Sequence, residues 1–384
     1  MKVVVAPQSF KGSISALDAA RAMREGVLRT IPDAQTVLVP VADGGDGTLE
    51  TLVEATGGDI RPTTVTGPTG RPVSAEWGAL GDGQTAVIEM ARTSGLALLS
   101  VAERDPLHAT TYGLGEAVRE ALDAGFRSFI MGIGGSATND GGAGMAQALG
   151  IRLLDEHGKD LPAGGAALAD LRTIDMSGLD ERALGARFSV ACDVSNPLTG
   201  PEGASAVYGP QKGATPELVE QLDAALRNFA KVVERDTGTS VEAVPGSGAA
   251  GGLGGGMMAF LGGSLRAGVD IVLDHVGLDQ KLTGADLVIT GEGQIDFQTV
   301  YNKAPIGVAR RAKQRGIPVL AVCGSLGKGF EAVHAEGIDA VVSILTAPMT
   351  LDEASARAGE LIADATAEAM RSMRVGSAVF GQDG

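Results

Sequence analysis

The residues of this chain best suited to chemistry sit in glycine-rich segments. Asp43, Asp46, Asp140, Asp193, Glu292 and Asp296 each lie in or beside a run of Gly, Ser, Thr or Asn. Lys11, Lys212 and Lys303 stand among Gly, Gln, Asn or Pro rather than on charged helical faces. Glycine lets backbone N–H groups approach an anion without a Cβ in the way. A lysine among glycines offers a point charge to phosphate or carboxylate. Loop carboxylates suit Mg2+, or take a proton from a substrate hydroxyl. The combination points to chemistry on a phosphorylated or carboxylated small molecule. Arg71, Arg92 and Arg266 are further candidates for a substrate carboxylate.

Other chemistries find less support. The segment Gly324-Ser325-Leu326-Gly327-Lys328-Gly329 misses the spacing and final hydroxyl of a phosphate-binding P-loop. Gly132-x-Gly134-x-x-Ala137, with Asp155 further on, matches a dinucleotide turn loosely. It keeps a nicotinamide-dependent oxidoreductase of a small hydroxy acid as an alternative. The 4 histidines are scattered, and no paired spacing suggests a zinc site. Cys192 and Cys323 each end an apolar run and read as small buried residues.

Composition narrows the class further. A formal charge of −16 argues against a general nucleic-acid binder and against anionic membranes. The 57 glycines are clustered between apolar runs, which excludes collagen and disorder. No apolar run approaches the roughly 20 residues that span a bilayer. The N-terminus MKVVVAPQSF reads as a strand broken by Pro7 rather than a signal segment. The expected compartment is the cytoplasm.

The elements that must position these residues follow from periodicity. Val3 to Ala6 and Thr36 to Val41 read as strands, with a helix between them opened by Ser15 and Asp18 and ended by Ile31-Pro32. A short helix carries Leu49, Leu52 and Val53. Residues 60–105 suggest hairpins. Strands are expected at Arg127 to Ile133 and Phe188 to Val194, with helices near 112–124 and 216–236. Pro245 to Gly256 opens an apolar helix. Leu287 to Thr290, Val319 to Val322 and Ala340 to Leu345 read as parallel strands, separated by helices near 304–315, 328–336 and 352–373. Val375 to Gly384 reads as a loose tail. The fold class is α/β. A doubly wound parallel sheet is built from both chain ends, 1–64 and 284–384, with a mixed α/β domain of 65–283 inserted. Ligand is expected in the cleft between them.

Seven motifs in order carry a family resemblance. They are Pro7-x-Ser9-Phe10-Lys11-Gly12-Ser13, Ala42-Asp43-Gly44-Gly45-x-Gly47-Thr48, the run Gly132 to Gly142, Cys192-Asp193-Val194-x-Asn196-Pro197-Leu198, Tyr208 to Ala214, Gly248-Ala249-Ala250-Gly251-Gly252-x-Gly254, and Gly291-Glu292-Gly293-x-x-Asp296-x-Gln298-Thr299. The set resembles the bacterial glycerate kinase family over about residues 1–373. Gln8, Asp46 and Asn302 depart from the family pattern, and Gln8 removes a carboxylate that a metal or proton could use.

The resemblance implies a flavodoxin-like domain with a second α/β domain inserted. It implies phosphorylation of D-glycerate by ATP with Mg2+, giving 2-phosphoglycerate more often than 3-phosphoglycerate. Asp193, at the end of a predicted strand aimed at the cleft, is read as the base, with Asp43 or Asp296 as alternatives, and Lys11 and Lys212 join it as catalytic residues. Asp43, Glu292 and Asp296 hold metal. Ser9, Ser136, Asn139, Asp140 and Asn196 bind substrate. Gly134, Gly135, Gly251, Gly252, Gln298 and Lys303 hold nucleotide or phosphate. The partners are these two small molecules, with no nucleic acid or membrane and with a homodimer left open. A non-catalytic sensor of the same ligands is the remaining alternative.

Overall fold

The computed structural model describes residues 1–45, 47–301 and 303–380, the Phe380 side chain aside. The departures at Asp46 and Asn302 lie outside the described residues. The strands in chain order are β1 (Lys2–Pro7), β2 (Gln35–Leu38), β3 (Asp59–Thr66), β4 (Pro72–Ala79), β5 (Thr85–Glu89), β6 (Ser128–Gly132), β7 (Arg152–Leu154), β8 (Thr173–Asp175), β9 (Arg187–Ala191), β10 (Ser264–Arg266), β11 (Leu287–Gly291), β12 (Gln294–Ile295), β13 (Val319–Cys323), β14 (Ser325–Leu326) and β15 (Ala340–Ser343).

The chain divides into two compact units, Met1–Asp43 with Val269–Gly384, and Gly44–Gly268. The sequence reading drew its lines at 64/65 and 283/284. Residues 44–64 carry most of β3, which pairs with β4 along its whole length in the second unit. Val269 and Leu273 lie against Gly307 in the first unit, close enough that a Cβ on Gly307 would touch both.

The first unit holds a five-stranded sheet in the order β15-β13-β11-β1-β2. Every neighbour pair in it is parallel. Counting β11, β13 and β15 as third to fifth strands, this is the flavodoxin-like order. The apolar runs Val3-Val4-Val5-Ala6 and Val319 to Cys323 are buried throughout, as strands covered by helices on both faces require. Helix α1 (Ala16–Thr30) starts where expected, with Ser15 Oγ accepting the Asp18 N–H at 3.1 Å. Its stripe Ala16, Ala20, Met23 and Val27 is buried. It packs on the helix Ala358–Phe380, where a Cβ on Gly26 would overlap the Ala363 carbonyl oxygen.

Two local expectations fail here. Val375–Phe380 is helical rather than a loose tail, because the helix is anchored upstream by Leu361, Ile362, Ala365 and Met370 and simply continues. Residues 381–384 lie outside the described residues. The helix expected near 328–336 is a 3₁₀ turn, Phe330–His334, flanked by left-handed Gly329 and positive-φ Gly337.

The second unit holds a six-stranded mixed sheet in the order β10-β9-β6-β5-β4-β3. β3, β4 and β5 pair antiparallel, and the rest pair parallel. Its core contains Trp77 edge-on to Phe126 and Phe129 stacked on Phe188 at 4.7 Å. Among the described residues, no helix is long and apolar enough to cross a membrane.

Candidate active site

In the first unit the chain leaves β1 toward β2 on one side and runs through β11, β13 and β15 on the other. The connections therefore diverge at the carboxyl ends of β1 and β11, where open α/β sheets bind ligands. The loop after β1 carries Gln8, Ser9 and exposed Lys11, and the loop after β11 begins at Glu292. The Gln8 N–H donates to the Gly291 carbonyl at 2.8 Å, tying the two loops together. Gly291 is required there, since a Cβ would overlap the Val322 carbonyl on β13.

Glu292 is 6% exposed. Its Oε1 accepts the Thr299 hydroxyl at 2.8 Å, and its Oε2 lies 3.5 Å from Lys303 Nζ. Burial pushes its carboxyl up, with the Asp43 charge adding to the rise, while Lys303 and Thr299 pull it down. Asp43 Oδ2 accepts from Gln8 Nε2 at 3.0 Å. Among the described residues, Gln8 Oε1 is buried without a hydrogen-bond partner. Asp43 and Glu292 thus repel within one pocket of charge, and a hard cation relieves such repulsion. Mg2+ needs only one or two carboxylates when water and phosphate supply the rest, so these two residues fit it. Asp296 is not gathered with them into a cage. Its Oδ1 accepts the Gln298 N–H at 2.8 Å, and among the described residues no group of three or more acidic, His or Cys side chains assembles. Gln298 is exposed, and Lys303 stands just before the helix Ala304–Lys313.

In the second unit the turn after β6 exposes Gly134 and Gly135, and a Cβ on Gly134 would meet nothing. The residues that follow turn inward. Asp140 is fully buried. Its Oδ2 accepts from Thr111 N, Thr111 Oγ1 and Gly144 N at 2.9, 2.8 and 3.2 Å, and its Oδ1 accepts from Gly142 N at 3.2 Å. Burial pushes its carboxyl up against the pull of these donors. Lys212 is 1% exposed, and its ammonium donates to the Thr138 carbonyl at 2.6 Å. Burial pushes this lysine down to about 7, and the Asp140 carboxylate opposes the fall.

Several predicted contacts with ligand are therefore contacts with protein. Lys212 neutralises a buried loop rather than solvent-facing charge. Asn139, also fully buried, donates Nδ2 to Ser205 Oγ at 3.0 Å. Asn196 accepts from the Tyr208 hydroxyl at 2.7 Å and donates to the Glu202 carbonyl at 2.7 Å. Ser136 is buried and bridges to Gly95. Gly251 and Gly252 are buried, and a Cβ on Gly251 would overlap the Thr138 carbonyl oxygen. These glycines serve close backbone packing. Asp193 differs. It lies exposed two residues beyond β9, which ends at Ala191 rather than at Val194, with Oδ1 accepting the Gly268 N–H at 3.1 Å.

Arg92 is saturated by Glu89, Glu76 and Glu50, so it is not free for a substrate carboxylate. Arg71 pairs with Glu103. Sequence reasoning missed Thr299 as the hydroxyl that orients Glu292, and missed Glu89. The i,i+3 spacing of Glu89 and Arg92 was the available signal. Cys323 is pushed up to about 12 by burial and Cys192 is also raised, so neither is an activated thiol. The turn at Gly132-x-Gly134 is followed by no helix until Ala143, so the helix N-terminus that holds a dinucleotide pyrophosphate is missing.

Comparison with known proteins gives this arrangement its relatives. The chain is 50% identical over 380 residues to a glycerate kinase of Bacillus subtilis (strain 168), covering 99% of this chain and 100% of the relative. It is 49% identical over 376 residues to a glycerate 2-kinase of Escherichia coli (strain K12), covering 98% and 99%. A crystal structure of a candidate glycerate kinase 2 from Salmonella typhimurium LT2 superposes with a TM-score of 0.91 at 50% identity, over 98% of this chain and 99% of that one. The family model described as "Glycerate kinase family" matches residues 3–374. On these full-length matches, this chain belongs to the glycerate kinase family.

Proposed function

We propose that this chain transfers the γ-phosphoryl group of ATP to D-glycerate, giving 2-phosphoglycerate. The observation that carries the reading is the full-length likeness, at 49% identity, to a protein named glycerate 2-kinase. The substrate hydroxyl attacks the γ-phosphorus, the bond to the bridging oxygen breaks, and ADP leaves. Asp193 takes the hydroxyl proton, an assignment supported by its exposure just beyond β9. Exposed Lys11 and half-buried Lys303 offset the charge that develops on the phosphoryl oxygens. Gly134 and Gly135 offer backbone amides to phosphate, Gln298 binds nucleotide, and Ser9 binds substrate. Asp43 and Glu292 hold Mg2+, which when bound neutralises phosphate charge. Lys212, Asp140, Asn139, Asn196, Ser136, Gly251 and Gly252 act through the loops they hold. ATP as donor suits a cytoplasmic location.

The test is ADP release from Mg-ATP with D-glycerate, followed by phosphorus NMR of the product. ADP formed only with D-glycerate, and a secondary phosphate ester in the spectrum, is the expected result. A primary ester moves the product to 3-phosphoglycerate. Release with another hydroxy acid but not with D-glycerate moves the substrate. No turnover with any hydroxy acid overturns the reading.

A further inference from the structure

We propose that Glu89 is a positioning residue: it caps a helix from a neighbouring strand and, with Arg92, holds the first turn of that helix. The helix is α2 (Thr48–Thr56). Its N-cap position is Gly47, which is left-handed at φ +86 and supplies no side chain. The first N–H groups of a helix have no partner inside it and must find one elsewhere. The Thr48 amide reaches the Gly45 carbonyl at 3.2 Å. The Leu49 amide is met by Glu89 Oε1 at 3.1 Å.

Glu89 is the last residue of β5, is 7% exposed, and lies in register with Gly132 at the end of β6. A carboxylate buried this deeply must be paired. Its second oxygen accepts Arg92 Nε at 2.8 Å. The same guanidinium reaches Glu76 on β4 at 2.9 Å and Glu50 on α2. One arginine thus joins two strands to the helix whose first turn Glu89 closes. A helix N-terminus attracts anions through its amides and its dipole. Here the protein's own carboxylate takes that place at the Leu49 amide. Asp43 lies five positions before Thr48 in the sequence, and this short chain distance is what ties the cap to the proposed metal ligand.

The consequence for rate rests on the kinase reading; the cap does not. Glu89→Leu removes both partners, whereas Glu89→Gln keeps an acceptor for the Leu49 amide. Amide hydrogen exchange of peptides spanning 47–52, read by mass spectrometry on the full chain, tests the cap. Exchange in that segment at least tenfold faster in Glu89→Leu, with most protection retained in Glu89→Gln, is the expected result. Unchanged exchange in Glu89→Leu overturns the cap. If Glu89→Leu does not fold, Glu89→Gln together with Arg92→Met is measured, and protection equal to wild type in Arg92→Met overturns the clamp. For the rate, kcat with D-glycerate should fall tenfold or more in Glu89→Leu while KM for D-glycerate stays within twofold, and Glu89→Gln should recover most of it. A wild-type kcat in a variant whose exchange has risen overturns the positioning role. A wild-type chain inactive on D-glycerate would sink the proposed function, while the exchange result would still decide the cap.

Discussion

Asp193 and Lys212 were given catalytic roles on similar sequence grounds, and their surroundings separate them. Asp193 is exposed, and its Oδ1 accepts the Gly268 N–H. Asp193→Asn keeps shape and removes the base. It should lower kcat by about 10²- to 10⁴-fold, the usual worth of a general base, with the melting temperature unchanged. A rate within threefold of wild type, in the ADP-release assay, would end the assignment. Lys212 is predicted to show itself in stability rather than directly in chemistry. Burial lowers its folded-state value to about 7, whereas an unfolded lysine titrates near ~10.4. Between these values the unfolded chain binds the extra proton, so this lysine's contribution to stability rises with pH, at up to ~1.4 kcal/mol per unit. Below about pH 7 the full cost of burying the charge is present and constant. Urea unfolding of wild type and Lys212→Met from pH 6.5 to 9.5 should show the wild type gaining on the variant as pH rises. A constant difference between them would contradict this account.

At the scale of elements, the helix Ala249–Leu261 is the least regular. Ala250, Gly251 and Gly252 run left-handed in succession, at φ 54, 70 and 90. Ala250 is the non-glycine residue with positive φ among those described. The kink lets the backbone at 251 lie against Thr138 and Asn139, and the Gly141 N–H donates to the Gly251 carbonyl at 3.0 Å. The loop that Lys212 and Asp140 hold from one side is thus held by glycine packing from another. Two substitutions should act in opposite senses. Gly251→Ala drives a Cβ into a carbonyl oxygen and should cost more than about 2 kcal/mol. Ala250→Gly relieves a left-handed Cβ, worth about 1–2 kcal/mol, and returns part of it as unfolded-state entropy. Its net gain should be a few tenths to about 1 kcal/mol. Urea midpoints read both. A neutral Gly251→Ala would mean that the loop at 138 yields readily.

At the scale of the whole molecule, the two units are built differently along the chain. The first takes its strands from both chain ends, and β1 finds its parallel partner β11 across most of the sequence. The second, Gly44–Gly268, is continuous, holds every strand of the six-stranded sheet and has its own buried cluster around Trp77, Phe129 and Phe229. A fragment of residues 44–268 should therefore fold alone, with a single cooperative urea transition and dispersed methyl resonances. In the intact chain the five-stranded sheet of the first unit closes only across the inserted residues 44–268. Loss of cooperativity in the 44–268 fragment would show that its core is completed by the rest of the chain.

The sequence by itself determined what is local. Continuous apolar runs marked the parallel strands, Ser15 and Asp18 marked the start of α1, and seven ordered motifs identified the family. Each of these depends on residues close together in the chain, whose spacing is fixed by the helix or strand they form. Exposure was not legible in this way. Lys212 looked like Lys11 in its setting of Gly and Gln, yet its partner carbonyl lies 74 positions away. Gly251 looked like a phosphate-binding glycine, and only the approach of Thr138 gave it another use. Glu89 bore no motif, because the amide it caps belongs to a helix 40 positions earlier. Buried charges and unpaired amides must find partners wherever packing brings them. Those partners come from the tertiary fold, so it alone decided which of the polar residues stand exposed and which are bound within the protein.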